Sequence, residues 1–267
     1  MYPEWWEHNL PYKFMDCVEG LTEIPNGVVD LIIADPPFNL GKDYGEEVND
    51  SRTDYFEWCD IWIKECFRIL KGTGSFYHMN YPPNVGQLQC IMNKYGFFQN
   101  SIIWKNTKMP LKTKYVVGYQ PILFYTKLEK GHTFNRMAQT KKLETFIPGC
   151  KKKKQDMVAQ LTDIWDDIPF VNGGCIPNKE VILEPGTTKK AHPCQMPVAL
   201  VDRMIQFSSN VGDLVLDPFL GSGVTLSGCK RNNRVGLGFE KNPKYEWIIK
   251  KQWNDAQTSI EKQDWFK

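Results

Sequence analysis

The sequence predicts an α/β fold: a mostly parallel sheet with helices on both faces. Three observations predict it. Short runs rich in β-branched residues alternate with longer amphipathic segments along most of the chain. Two of those runs, Val28–Ala34 and Asp213–Leu216, read as buried strands. Each leads into an acidic residue followed by proline, at the point where ligands bind in open α/β sheets.

Taken in order, Lys13–Asp16 reads as a short strand and Cys17–Ile24 as a helix stopped by Pro25-Asn26-Gly27. Val28–Ala34 is the next strand. Tyr55–Leu70 is an amphipathic helix with apolar residues at Phe56, Ile61, Trp62, Ile63, Cys66, Phe67 and Leu70, and Lys71-Gly72-Thr73-Gly74 is expected to end it. Ser75–Met79, Phe97–Trp104 and Ile122–Tyr125 read as strands, with a weaker helix over Val85–Lys94. Residues 127–190 lack clean periodicity and read as an irregular insertion that includes Asp163–Asp167. Regular alternation resumes with helix Pro197–Phe207, strand Asp213–Leu216, helix Val224–Arg231, strand Val235–Phe239 and a helix from Tyr245.

The 267 residues suffice for one large domain or a core with an inserted lobe, and 42% hydrophobic with 24% charged residues is ordinary for a globular chain. No run approaches the ~20 apolar residues of a membrane helix, and the N-terminus has no secretory pattern, so a cytoplasmic protein without membrane contact is expected. The eight Cys form no CxxC pair and no His lies at zinc-ligand spacing, so no metal is expected. The net charge of +2 hides an asymmetry: residues 105–154 carry 13 Lys and Arg against 2 acidic residues. A basic segment on an acidic body points to a polyanion docking there, against the plainer alternative of a solvated lysine-rich loop.

The segment Asp213–Thr225 reads DLVLDPFLGSGVT: a strand ends on an acidic residue, turns through Gly221 and Gly223 and enters a helix. Glycines there allow close backbone approach to a ligand, and the helix N-terminus offers free N–H groups to an anion. The spacing is neither the dinucleotide fingerprint nor a phosphate loop. Glu240 ends the next strand 23 residues after Asp217 and can accept from ribose hydroxyls, which favours a nucleoside-bearing cofactor over two ordinary turn carboxylates.

Asp35-Pro36-Pro37-Phe38 follows the other buried strand. Consecutive prolines fix φ and remove two donors, leaving carbonyls for a ligand that only donates. Asp35 adds an acceptor and Phe38 a stacking surface. The set suits a planar molecule bearing an amino group, held by Asp35 and the Pro36 carbonyl with its nitrogen lone pair localised for attack on a methyl sulfonium. Stacking of a base on an aromatic ring contributes about 1–3 kcal/mol.

Together these segments resemble the amino-methyltransferases of DNA. DPPF is similar to their catalytic [DNS]PP[YFW] motif and DPFLGSGVT to their cofactor motif, in the permuted order of the β group. His192–Pro197 (HPCQMP) resembles that group's HPTQKP, Asp16-Cys17 its GDC start, and Leu70–Ser75 its LKPGGS. Trp104-Lys105 and Ile122–Lys127 resemble the flanks of its target-recognition region. The resemblance implies a Rossmann-like methyltransferase fold with a mostly parallel seven-stranded sheet. It divides the chain into a catalytic half (1–126), a basic target-recognition insertion (127–190) and an S-adenosylmethionine-binding half (191–267).

The resemblance also implies roles. Asp35, Pro36, Pro37 and Phe38 hold the flipped target base. Asp217, Phe219, Gly221 and Gly223 wrap the methionine and ribose of S-adenosylmethionine, and Glu240 takes the ribose hydroxyls. Asp16, next to Cys17, accepts from the cofactor's adenine amino group, and His192, Ser222 and Thr225 lie near the methionine carboxylate. Met196 and Cys194 depart from HPTQKP, which removes a cation; either cofactor affinity is lower or a nearby lysine such as Lys189 or Lys190 substitutes. Asp35, where N4-cytosine enzymes of this order commonly carry Ser, favours the N6 amino group of adenine, with N4-cytosine and a non-catalytic DNA-binding homologue as alternatives. A carbon-5 cytosine reading based on Cys194 is set aside, because direct amino attack needs no cysteine. The partner implied is duplex DNA with a flipped base. Lys141, Lys142, Lys151, Lys152, Lys153 and Lys154 are the expected phosphate contacts, and Asn106, Arg136 and Gln139 are candidates for reading base edges. Family members are often homodimers; a restriction partner and the recognition site are not legible.

Overall fold

A computed structural model of the chain describes residue 4, residue 6 and residues 10–42, 50–105, 115–142, 158–171 and 180–256. The strands are β1 (Tyr12–Phe14), β2 (Val29–Ala34), β3 (Leu70–Met79), β4 (Phe97–Lys105), β5 (Tyr119–Thr126), β6 (Thr140–Lys142), β7 (Val158–Gln160), β8 (Ile164–Trp165), β9 (Leu214–Asp217) and β10 (Val235–Glu240). The α-helices are α1 (Cys17–Thr22), α2 (Tyr55–Ile69), α3 (Pro82–Met92), α4 (Val198–Ser208), α5 (Val224–Arg231) and α6 (Glu246–Asp255).

Eight strands form one sheet in the order β1-β10-β9-β2-β3-β5-β4-β8, and β6 and β7 form a separate two-stranded ribbon. Only β5 runs antiparallel to its neighbours β3 and β4. The eighth strand, at the edge, is the two-residue β8, from the stretch that read as irregular. The central strand β2 is buried on both sides: Ile32 and Ala34 face a core shared with α1, α2 and α3, whereas Leu31 and Ile33 face a core shared with α4 and α5. That two-sided burial is why the run is continuously apolar. Its one charged residue, Asp30, accepts the Leu214 N–H at 2.9 Å and both 2.8 Å bonds of Lys71 Nζ, locking β2 beside β9.

Helix α2 ends where expected, at Ile69, but Lys71–Gly74 is already strand rather than a connecting turn. Leu70 already turns to extended backbone (φ −69°, ψ 135°), and β3 begins there. The Lys71 ammonium is drawn to Asp30 on the neighbouring strand rather than to the helix carbonyls.

The insertion also has more order than its composition suggests. Ile103 and Trp104 pair with Ile164 and Trp165. Asp167 receives a bidentate ion pair from the buried Arg203 of α4 at 3.0 and 2.6 Å, and that guanidinium lies 5.0 Å from the Trp165 ring centroid. Gln139 accepts from Arg203 Nε at 2.8 Å and donates to Gln206 at 2.9 Å, so its amide braces α4 and is not available to read a base.

At the turn after β9, Gly223 has φ 84°, and a Cβ there would lie 3.0 Å from the Ile249 Cα of α6. Both terms oppose any side chain. Gly223→Ala is expected to lower stability by about 2 kcal/mol, read as a denaturation midpoint shift with unchanged m.

Candidate active site

The parallel pairing of β2 with β9, Leu31 opposite Val215 and Ile32 opposite Leu216, brings the carboxyl ends of both strands to one edge of the sheet. Asp35–Phe38 and the glycine turn therefore meet. They line one cleft, which takes Asp35, Pro36, Pro37 and Phe38 from one side and Phe219, Leu220, Gly221 and Ser222 from the other. Glu240 and His192 complete that wall. A second recess, lined by Asp16, Cys17, Asp50, Trp58 and Phe239, shares Pro37, Phe219, Glu240 and Lys241 with the first. A third shares Asp35, Phe38, Cys194 and Met196 with the first and extends past Tyr81, Trp104 and Phe170. Trp104 and Phe170 stack there with centroids 3.6 Å apart.

The proline turn is held from behind by residues that sequence reasoning missed. Tyr55, the first residue of α2, donates its hydroxyl to the Pro37 carbonyl at 2.8 Å. Asn80, just after β3, donates to the same hydroxyl at 2.9 Å. Asn84 on α3 donates to the Phe38 carbonyl at 2.9 Å and to Asn80 Oδ1 at 2.9 Å. The Pro37 and Phe38 carbonyls are thus engaged. Asp35 Oδ1 is buried without a partner. Among the described residues, no hydrogen bond uses the Pro36 carbonyl. The two acceptors left open are the pair that amino-group chemistry calls for.

Asp35 is held up at about 7, first by burial and then by the nearby Asp217, with Lys42 opposing. Lys42 was also missed: its ammonium lies 2.8 Å from Cys194 Sγ, beside the departed HPTQKP positions. Lys189, by contrast, is 76% exposed and paired with Glu184, and neither it nor Lys190 lines the three recesses.

Several residues expected to touch the cofactor are bonded to one another within the glycine turn. Asp217 is completely buried and accepts from the Thr225 hydroxyl at 2.6 Å and the Phe219 N–H at 2.9 Å. Burial lifts its carboxyl to about 6 despite those donors. Asp217, Thr225 and Gly223 do not line the cleft. Phe219 does; it stands edge-on to Trp62 with centroids 4.9 Å apart and separates the first recess from the second. Glu240 accepts from the Gly221 N–H at 2.7 Å and the Asn242 N–H at 2.8 Å, and burial raises its carboxyl to about 7.

His192 is buried and packs edge-on to Tyr245, with its Nδ1 accepting the Cys194 N–H at 3.2 Å. That bond places the ring proton on Nε2. Burial lowers its pKa to about 4, so the ring is a neutral donor beside Gly221, where a Cβ would lie 3.1 Å from Nε2. Asp16 caps α1 through the Val18 N–H at 3.0 Å and pairs with Lys241 at 3.1 Å. Lys141 and Lys142 lie on β6; Lys151, Lys152, Lys153, Lys154 and Asn106 lie outside the described residues.

A family described as DNA methylase, the N6/N4 methyltransferases, matches residues 29–251. The chain belongs to this family. The methyltransferase is 34% identical over 248 residues to the type II methyltransferase M.HpaI of Haemophilus parainfluenzae, covering 89% of this chain and 72% of that protein. It is 33% identical over 240 residues to the DNA adenine methyltransferase YhdJ of Escherichia coli, covering 86% and 78%. It spans 53% of the type II methyltransferase M.BamHI of Bacillus amyloliquefaciens, at 34% identity. In fold it is similar to the TTHA0409 protein of Thermus thermophilus complexed with S-adenosyl-L-methionine (TM-score 0.63, 22% identity, 92% of this chain and 93% of that one). The cytosine-N4-specific PvuII DNA methyltransferase gives a TM-score of 0.67 at 21% identity, covering 94% and 88%. The methyltransferase acts on DNA and depends on S-adenosylmethionine. The cleft fits that group: Gly221 adds no side chain to the lining, a second recess joins the first at Glu240, and Asp35, with an orphaned carboxylate oxygen, stands on the facing wall.

Proposed function

We propose that the protein methylates the N6 amino group of adenine flipped out of duplex DNA, with Asp35 and the Pro36 carbonyl as the acceptors that hold that nitrogen. The observation that carries this reading is the pair of open acceptors beside the glycine turn, with the neighbouring carbonyls already engaged. S-adenosylmethionine supplies an electrophilic methyl group on a sulfonium. Phe38 provides the ring on which the base stacks. Asp35 and Pro36 accept the two amino hydrogens, which pulls the nitrogen toward tetrahedral geometry and frees its lone pair. The positive charge that develops on nitrogen is stabilised by the Asp35 carboxylate, which later accepts a proton or passes it to solvent. Glu240 receives the ribose hydroxyls, and the neutral His192 donates toward the cofactor's carboxylate.

Asp35 at the head of the turn and the similarity to YhdJ support adenine over N4-cytosine, although the attack chemistry is common to both amino groups. Nucleoside analysis of duplex DNA treated with the enzyme and methyl-labelled cofactor tests the choice. Label is expected in N6-methyladenine, and label in N4-methylcytosine would overturn it.

Residues 127–190 form the DNA-docking part of this reading, with Lys141, Lys142 and Lys151–Lys154 against phosphates. DNA affinity is expected to fall by roughly a thousandfold or more between 50 and 200 mM salt if six or more phosphates are neutralised. A flat response in filter binding or anisotropy would remove the docking assignment. A cytoplasmic location fits a DNA substrate, and a homodimer is the assembly that the resemblance proposes.

A further inference from the structure

We propose that Asn80 is a positioning residue for methyl transfer: its side-chain amide sets the direction of a hydrogen-bond chain that holds the proline turn and so aims the Pro36 carbonyl at the target amino group. Asn80 owes its place to the sheet. Ala34, the last residue of β2, pairs with His78 of β3, so the residue two further on leaves β3 beside the turn that leaves β2. Asn80 is 1% exposed and Tyr55 2%. Hydrogen bonds between such buried groups are specific, because water offers no alternative partner.

One backbone group fixes the direction of the whole chain. The Tyr81 N–H can only donate, and it lies 2.8 Å from Asn80 Oδ1. The other end of that amide is therefore its NH2 group, which also can only donate. One of its hydrogens goes to the Tyr55 oxygen at 2.9 Å, and the other faces His78 Nε2 at 3.5 Å. Burial lowers the His78 ring to about 3, so it is neutral and serves Asn80 as an acceptor. With its oxygen facing a donor, Tyr55 turns its own proton to the Pro37 carbonyl at 2.8 Å. Asn80 Oδ1 also accepts from Asn84, whose amide donates at 2.9 Å to the Phe38 carbonyl. A single amide thus directs two arms onto two successive carbonyls of the turn.

The consequence falls on Pro36. The rings of Pro36 and Pro37 fix both φ angles. The pairing of β2 holds the turn at Ala34, and the Tyr55 hydroxyl holds it at the Pro37 carbonyl. Few torsions remain between those anchors, so the Pro36 carbonyl is left with one direction. In Asn80→Asp the amide nitrogen is replaced by a carboxylate oxygen, which draws the Tyr55 proton more strongly than a carbonyl does, and the anchor at Pro37 is released.

The inference rests on the reading that Asp35 and the Pro36 carbonyl hold the amino group. Its test measures single-turnover methyl transfer to unmethylated genomic DNA by Tyr55→Phe, Asn80→Asp and the double variant, with the cofactor Kd and the KM for DNA measured beside it. Each single variant is expected to lose roughly 10- to 100-fold in the transfer rate, with Kd and KM within about threefold of wild type. The double variant is expected to be no slower than Asn80→Asp, because both changes remove the same bond to Pro37. Wild-type transfer by either single variant, losses that multiply in the double variant, or a loss carried by Kd or KM rather than by rate overturns the proposal. Tyr55→Phe removes one oxygen atom only, so its result decides even if Asn80→Asp does not fold. Transfer retained by Asp35→Ala would instead remove the amino-acceptor reading itself.

Discussion

Asp35→Ala is expected to abolish methyl transfer, by roughly a thousandfold or more, while cofactor binding survives. The carboxylate supplies an acceptor with no competing donor: its Oδ1 is the buried, unpartnered oxygen of the proline turn. The pH dependence follows from its environment. With the free carboxyl raised to about 7, the ionised acceptor is lost as pH falls through that value. The kcat/KM for cofactor, which reports the free enzyme, is then expected to drop about tenfold per pH unit on the acid side.

Stability runs the other way. Between the ordinary value of 3.8 and about 7 the folded protein holds a proton that the unfolded chain releases, so this group makes folding less favourable as pH rises through that window. Asp35→Asn is therefore expected to raise stability by about 1–2 kcal/mol at pH 8 and to change little at pH 4. Thermal melts at both pH values check the sign. Wild-type turnover by either variant would remove Asp35 from the mechanism, and equal melts at both pH values would show that its burial costs nothing.

Glu240→Ala is expected to weaken cofactor binding by about 100-fold, the loss of two hydrogen bonds to a charged acceptor. Its two oxygens also hold the Gly221 and Asn242 N–H groups, so the variant releases the glycine turn as well as the ribose contact. Removing a carboxyl that burial has raised to about 7 offsets part of the stability lost with those bonds. The expected signature is thus a large change in cofactor Kd by calorimetry with a shift of only a few degrees in Tm. Cofactor affinity within threefold of wild type would show that Glu240 serves the turn alone.

The elements that could be read from sequence are those whose cause is local. Helix α5 follows a glycine with positive φ and ends where the motif predicts, at Val224 and Arg231. Strand β2 is legible because burial on both faces makes it uniformly apolar. Lys71–Gly74 carries the same residue types as a helix terminus, but the deciding partner, Asp30, is distant in sequence and adjacent only in the sheet. Gln139 looks like a base reader until the ends of the insertion fold onto α4 and Arg203 claims its oxygen. Tyr55, Asn80 and Asn84 give no motif at all, since they serve the site only by binding carbonyls of the proline turn from other elements.

What the chain determined by itself was the chemical repertoire: a proline turn whose φ is fixed by its rings, glycines able to take positive φ, and carboxylates at strand ends. Those properties belong to residues and their immediate neighbours. Only the tertiary structure decided which polar atoms remain available. Asp217, conspicuous in the motif, spends both oxygens on Thr225 and Phe219, whereas Asp50, which no motif marks, keeps one oxygen open in a buried recess. Hydrogen-bond satisfaction is settled by groups far apart in sequence, so which carboxylate oxygens stay open appears only once the chain has folded.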